Sequence, residues 1–125
     1  TSRYFNYIYV RMGAHTLIHK RTEDDIWKNL FELPLVETEK DLSEEEFLAC
    51  PQFHALFAEG EVRMVRTLLR GVKHVLSHRV IYTNFYEVTL PDNSSSFSSY
   101  QRVAVEDLGR YAVPRLIHAF LEKYV

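Results

Sequence analysis

Six histidines, one cysteine and a Ser-His pair are the groups in this 125-residue chain that could serve metals, nucleophilic attack or proton transfer. His15 and His19 are four apart, but on a strand that spacing puts them on one side at roughly 13 Å, too far to share an ion. His74 and His78 have the same spacing across a turn. Neither pair lies on a helix with an intervening Glu, as a local His-x-x-x-His zinc site requires. All six read as surface or hydrogen-bonded histidines. Ser77 and His78 are neighbours, and neighbours on a strand or turn point apart; no nucleophile elbow surrounds them. The glycines (Gly13, Gly60, Gly71, Gly109) are scattered, so no phosphate-cradling loop is expected. Cys50 is alone, which excludes an internal disulfide or a thiolate cluster, and it reads as a small buried apolar residue in a reducing compartment. As an autonomous enzyme the chain offers no constellation.

Cations offer more. Arg63, Arg66 and Arg70 recur at three and four residues, so a helix would set them on one face. They run on into Lys73, His74, His78 and Arg79, the most basic stretch of the sequence. Such a patch can hold phosphates; it reads equally as a solvated face balancing acid elsewhere. Residues 1–62 hold six Lys/Arg against twelve Asp/Glu, and residues 63–125 hold nine against five. The halves are therefore −6 and +4, an asymmetry that suits a partner of one sign on one face.

These residues must be positioned by a single domain over residues 1–125, since the length leaves no room for a second. Seventeen aromatic rings give a chain this size enough area to close a core. No apolar run approaches the ~20 residues a bilayer requires. Thr1 is expected to be a cut end, making this a piece of a larger polypeptide.

Residues 4–12 are aromatic and β-branched and predict a strand; Gly13-Ala14 predicts a turn, and residues 15–20 a second strand completing a hairpin. Leu30 to Leu33 is a short apolar run closed by Pro34. Ser43 with Glu46 has the capping-box spacing and starts a helix that Pro51 interrupts or restarts, with an apolar stripe of Phe53, Leu56 and Phe57 up to Gly60. Residues 62–76 are ambiguous, helical in the spacing of Val62, Val65, Leu68 and Leu69, extended from Val72 to Leu76. Residues 79–90 predict a strand with Val80, Tyr82, Tyr86, Val88 and Leu90 on one side and a wetter face opposite. The two runs flank Leu76-Ser77-His78, which predicts a hairpin with those side chains at its tip. Residues 91–99 read as a polar, mobile loop. Tyr100 to Val105 gives a last strand, Glu106 to Leu108 a helical turn, and Pro114 opens a final helix with Leu116, Ile117, Phe120 and Leu121 inward. The order predicts an α/β or α+β domain with a mixed sheet.

Four segments in this order resemble one known family. Leu17-Ile18-His19-Lys20-Arg21, followed by Ile26-Trp27-Lys28-Asn29-Leu30-Phe31-Glu32-Leu33-Pro34, resembles the strand, arginine and Trp-x-x-Leu-aromatic-x-x-Pro stretch of Nudix-like domains. Val72 to His78 resembles the His-x-Phe-Ser/Thr-His loop in the C-terminal domain of MutY-type adenine DNA glycosylases, with Leu76 where Phe is usual. Tyr100 to Leu108, and Tyr111-Ala112-Val113-Pro114 before the last helix, are similar to that domain's ending.

The resemblance implies a Nudix-like mixed sheet flanked by helices, with a degenerate Nudix box. It implies a non-catalytic domain for base-excision repair that reads 8-oxoguanine opposite adenine. The N-terminal part absent here would supply the glycosylase activity and a 4Fe–4S cluster; no cofactor is expected in this stretch. Implied partners are duplex DNA containing the 8-oxoguanine:adenine pair, that N-terminal catalytic domain, and repair or replication proteins, in a bacterial cytoplasm beside the nucleoid. Ser77, His78 and Leu76 would read the lesion. Oxidation turns guanine N7 into a donor and adds an acceptor at C8, and a hydroxyl can both accept and donate. Leu76 would be an apolar wedge against stacked bases. Lys73, His74, Arg79 and Arg70 are candidate phosphate contacts.

A working Nudix hydrolase would need two glycines and a helix carrying Arg-Glu-x-x-x-Glu-Glu after the proline. Here no Gly lies between Gly13 and Gly60 and no Arg between Arg21 and Arg63, and the consecutive Glu44, Glu45 and Glu46 cannot converge from one helical face. A box-less docking module for other proteins is the alternative; nucleotide hydrolysis ranks last.

Overall fold

A computed structural model describes all residues 1–125. Its elements are β1 (Ser2–Arg11), β2 (His15–Lys20), β3 (Phe31–Glu32), β4 (Leu35–Thr38), α1 (Glu44–Ala49), α2 (Pro51–His54), β5 (Met64–Leu76), β6 (Arg79–Thr89), β7 (Gln101–Ala104), a 3-10 segment (Val105–Arg110) and α3 (Arg115–Tyr124). A four-stranded sheet runs β4-β1-β6-β5 and a three-stranded one β3-β2-β7. β1 is antiparallel to β4 and parallel to β6, so the larger sheet is mixed and the domain is α+β.

Phe5 to Val10 are buried without a break, the mark of a central strand covered on both faces. Below it, Phe5, Tyr7 and Tyr9 join Ile81 and Phe85 against Leu116, Ile117 and Phe120 of α3. Phe85 and Phe120 stack face to face with centroids 4.1 Å apart. Above it, Ile8 and Val10 join Tyr86 and Val88 against Phe47 and Phe53. The wetter face expected for β6 is therefore wrong: Ile81, Thr83 and Phe85 are fully buried, because α3 covers the side opposite α1 and α2.

The Gly13-Ala14 turn exists, and Gly13 sits at φ 59° where an added Cβ would fall 2.9 Å from the Asp92 carboxylate. The hairpin it should have made stops at one Met12–His15 bridge. β4 and β6 already occupy both edges of β1, so β2 leaves to pair with β3 and β7.

The ambiguous 62–76 stretch is strand β5. Its register against β6 shifts between Thr67 and Leu69 and again between Leu69 and Val72, which puts apolar residues at helix-like intervals along a strand. The capping box at Ser43 forms as expected, with Glu46 N–H donating to Ser43 Oγ at 3.1 Å and Ser43 N–H to Glu46 Oε1 at 2.9 Å. Pro51 restarts the chain as α2, which ends at His54, short of Leu56 and Phe57. The serine loop is tethered: the Glu61 carboxylate accepts from the hydroxyls of Ser94, Ser95 and Ser96 and from the Ser95 and Ser96 amides. Those donors hold its pKa down at about 2.

Candidate functional site

β5 and β6 meet in a two-residue turn, with Leu76 opposite Arg79 and Ser77-His78 exposed between them. The tip predicted from sequence is there. Neither Ser77 nor His78 has a positive φ, so the turn is not of the primed kinds whose twist matches paired strands.

Cross-strand partners share a face of the sheet. Lys73 opposite Tyr82, and Val75 opposite Val80, stand on one face; His74 opposite Ile81, and Leu76 opposite Arg79, stand on the other. Leu76 is half-buried and packs against the core beneath the sheet. The apolar side chain most open at the tip is Val75, 66% exposed, which sequence reasoning missed. Lys73 is exposed. Arg79 approaches Asp25 at 3.6 Å, and the His74 ring meets Trp27 edge-on at 6.0 Å.

Arg70 is elsewhere. It lies six residues back along β5, roughly 20 Å from the turn, and its guanidinium donates to Tyr86 Oη at 2.7 Å and to the Leu42 carbonyl at 2.9 Å. Arg66 pairs with Glu87 at 2.8 Å, and Arg63 donates to the Gly60 carbonyl at 2.6 Å. The single arginine face expected from a helix does not form, because the segment is a bulged strand.

Beneath the tip lie two carboxylate hubs, Asp25 in the loop between β2 and β3 and Glu32 on β3 itself. Glu32, 2% exposed, accepts from Tyr7 Oη at 2.8 Å and from Arg21 Nη1 at 3.0 Å, and lies 3.1 Å from His19 Nε2. Burial first, and then the Glu32 charge, push the Tyr7 phenol upward, so it stays a donor. Asp25 accepts both Arg3 Nη groups at 2.9 Å and Arg21 Nη2 at 3.0 Å. The Arg3 hydrogen bond is the main reason its pKa falls to about 2. Arg3 also reaches Glu37 at 2.7 Å, and these partners raise its own pKa. A lone Glu inside the apolar run Phe31-Glu32-Leu33 was a signal for the first hub. Nothing local announced the second, which gathers Arg3 of β1 and Arg79 of β6 beside Arg21 of its own loop.

At the opposite end of the upper face an open apolar groove of about 550 Å³ runs between α1, α2 and the start of β5, lined by Leu48, Phe53, Phe57, Val62 and Val65 with Glu59 beside them. Nowhere do three His, Cys, Asp or Glu side chains converge as a metal site would require. No helix is long and apolar enough to cross a membrane.

Comparison with known proteins matches residues 6–123 to a family model described as a NUDIX domain. No curated protein matches. Among solved structures, the C-terminal domain of mouse MUTYH, in its complex with human PCNA, is similar with a TM-score of 0.72 at 15% identity, over 98% of this chain and 86% of that one. The MutT NUDIX hydrolase from Burkholderia pseudomallei gives 0.69 at 15% identity over 100% and 99%. The MutT protein from Methanosarcina mazei gives 0.62 at 17% over 98% and 91%. At such identities the likeness is one of fold.

Proposed function

Since this chain belongs to the NUDIX domain family, with residues 6–123 matching, we propose that it is a non-catalytic reader of 8-oxoguanine opposite adenine, the recognition domain of a MutY-type adenine glycosylase. The observation that carries the reading is the exposed Ser77-His78 turn at the end of a long hairpin, with Lys73 and Arg79 beside it. A serine hydroxyl accepts from the N7–H that oxidation creates and donates to the new oxygen at C8. Intact guanine presents a bare acceptor at N7 and no C8 oxygen, so one hydrogen bond is lost, a difference of about 1–3 kcal/mol, or roughly fivefold to 150-fold in affinity. Lys73 would meet phosphate, Arg79 is drawn toward Asp25 at 3.6 Å, and few free cations are near, so binding should be weak and salt-sensitive. The catalytic carboxylate and the 4Fe–4S cluster would belong to the N-terminal domain of the same polypeptide.

Fluorescence anisotropy at low salt with duplexes carrying 8-oxoguanine:adenine or guanine:adenine tests this. The wild-type chain should prefer the oxidised duplex, and Ser77→Ala with His78→Ala should erase the preference while leaving weak binding. Equal binding of both duplexes by the wild type sinks the reading. A second reading, nucleotide hydrolysis, draws on the likeness to MutT structures; release of pyrophosphate from 8-oxo-dGTP with Mg²⁺ would establish it. The solved complex of the mouse domain with PCNA supports a further role in docking a repair or replication protein.

A further inference from the structure

We propose that the loop at residues 21–30 is a clasp that fixes the Ser77-His78 turn in its reading geometry, with Asp25 and Trp27 as positioning residues for lesion discrimination. This rests on the reading of the tip given above.

The need for a clasp comes from the turn itself. Two-residue connections between antiparallel strands match the strand twist when one or both central residues have positive φ; otherwise the strands tend to splay. Ser77 and His78 lack that conformation. β5 is also an edge strand, paired only with β6, and its register slips twice before it reaches the tip. From Val72 opposite Thr83 to Leu76 opposite Arg79 the ladder is regular and carries both arms to the tip, but on an edge strand closed by such a turn it does not by itself fix where the Ser77 hydroxyl points.

The loop beneath supplies what they lack. Its ends are tied together, Arg21 N–H to the Leu30 carbonyl at 2.9 Å and Asn29 N–H to the Arg21 carbonyl at 2.7 Å. Between them Trp27 sits at φ 57° and Asn29 at φ 71°. For a residue as bulky as tryptophan that region is disfavoured and persists only where surrounding contacts over-determine it. Here the indole lies edge-on against Phe5 and against His74, both at 6.0 Å, bridging the central strand and the edge strand. Asp25 makes the second bridge. It takes Arg3 from β1 through two hydrogen bonds, Arg21 from its own loop, and Arg79 at 3.6 Å, the residue that follows His78. One carboxylate and one indole thus join the first strand of the fold to both arms of the hairpin.

The charges facing Asp25 are Arg3, Arg21 and Arg79, balanced by Asp25 itself, Glu32 on Arg21 and Glu37 on Arg3. Removing the Asp25 charge leaves one cation in excess and releases Arg79. A merely structural residue, when lost, weakens binding to every duplex. A clasp, when opened, should free a cation for phosphate and lose the aim of the hydroxyl: affinity for the undamaged duplex holds or rises while the preference for the lesion falls.

The test uses the full 125-residue chain with two readouts. Amide hydrogen exchange in the free protein follows residues 75–80; anisotropy follows the ratio of affinities for 8-oxoguanine:adenine and guanine:adenine duplexes. Asp25→Asn, nearly the same shape without the charge, should raise exchange at the tip at least tenfold, leave β1 and α3 protected, and cut the ratio at least fivefold without weakening guanine:adenine binding. Trp27→Ala should do the same at the tip; should it fail to fold, Trp27→Phe, which keeps a ring against His74, should restore most of the wild-type ratio. Glu37→Gln, which removes a carboxylate from Arg3 but touches nothing on the hairpin, should leave both readouts unchanged. The proposal is overturned if Asp25→Asn leaves tip exchange at the wild-type rate, or loosens the tip without lowering the ratio. A wild-type chain without any preference overturns the reading of the tip instead, and the exchange data then decide alone whether the loop pins the hairpin.

Discussion

The hairpin tip and the helical corner are built from opposite materials. The tip end is held by ionic hydrogen bonds converging on two carboxylates, Asp25 and Glu32, with arginines drawn from three separate stretches of chain. The α1–α2 corner is held by rings: Phe47 stacks on Tyr86 at 4.7 Å and meets Phe53 edge-on at 5.2 Å, and Phe53 leads on to Phe57 and Phe97. Rings packed in a core tolerate small shifts, since dispersion and burial have little direction. Guanidinium–carboxylate pairs fix direction as well as distance. A surface with the proposed task of telling one purine atom from another would gain from the second kind of support, and a corner that closes the core is served by the first.

Breaking each side should show the contrast. The largest effect is expected from Phe47→Ala. Its ring is fully buried among the aromatics of the upper core, so denaturant unfolding should register a loss of about 3–5 kcal/mol. Amide exchange at residues 75–80, relative to the global rate, should not change. Acid should strike the tip. Asp25 is held at about 2, below its ordinary 3.8, so the folded chain binds fewer protons than the unfolded one across that interval. The stability it contributes is present above about pH 4 and is lost as pH falls through 2. Chemical shifts of residues 75–80 should move in that window together with those of the serine loop around Glu61, which titrates at about 2 as well, and ahead of the shifts of the Phe47 ring. The smallest effect belongs to Ser43→Ala, which removes the side-chain cap of α1 and should cost about 1 kcal/mol in the same unfolding experiment, with no change at the tip.

The same contrast explains what could be read from the residue order. The helical corner was legible because its signals are local: Ser43 and Glu46 three apart, Pro51 at the restart, rings following at once. The tip was legible as a turn for the same reason, two extended runs around Leu76-Ser77-His78. Its support was not. Arg3 and Asp25 are 22 residues apart, and Arg79 lies further on, so no window of sequence holds the cluster. β5 misled because two register shifts imitate a helical period, and β6 misled because alternation says nothing about whether a helix from the end of the chain will cover the second face. The serine loop looked mobile on composition alone; Glu61, more than thirty residues earlier, supplies the acceptor that orders it.

The place of β1 has a consequence for synthesis. Its parallel partner β6 begins opposite Ser2 only at Val80, so at a ribosome speed of about 5–20 residues per second the wait is on the order of ten seconds. Through that interval the most apolar ribbon of the protein has at most β4 to pair with, and its other edge is open. Nascent chains should be most prone to stick to one another, and most in need of a chaperone, until the second half emerges and closes over it.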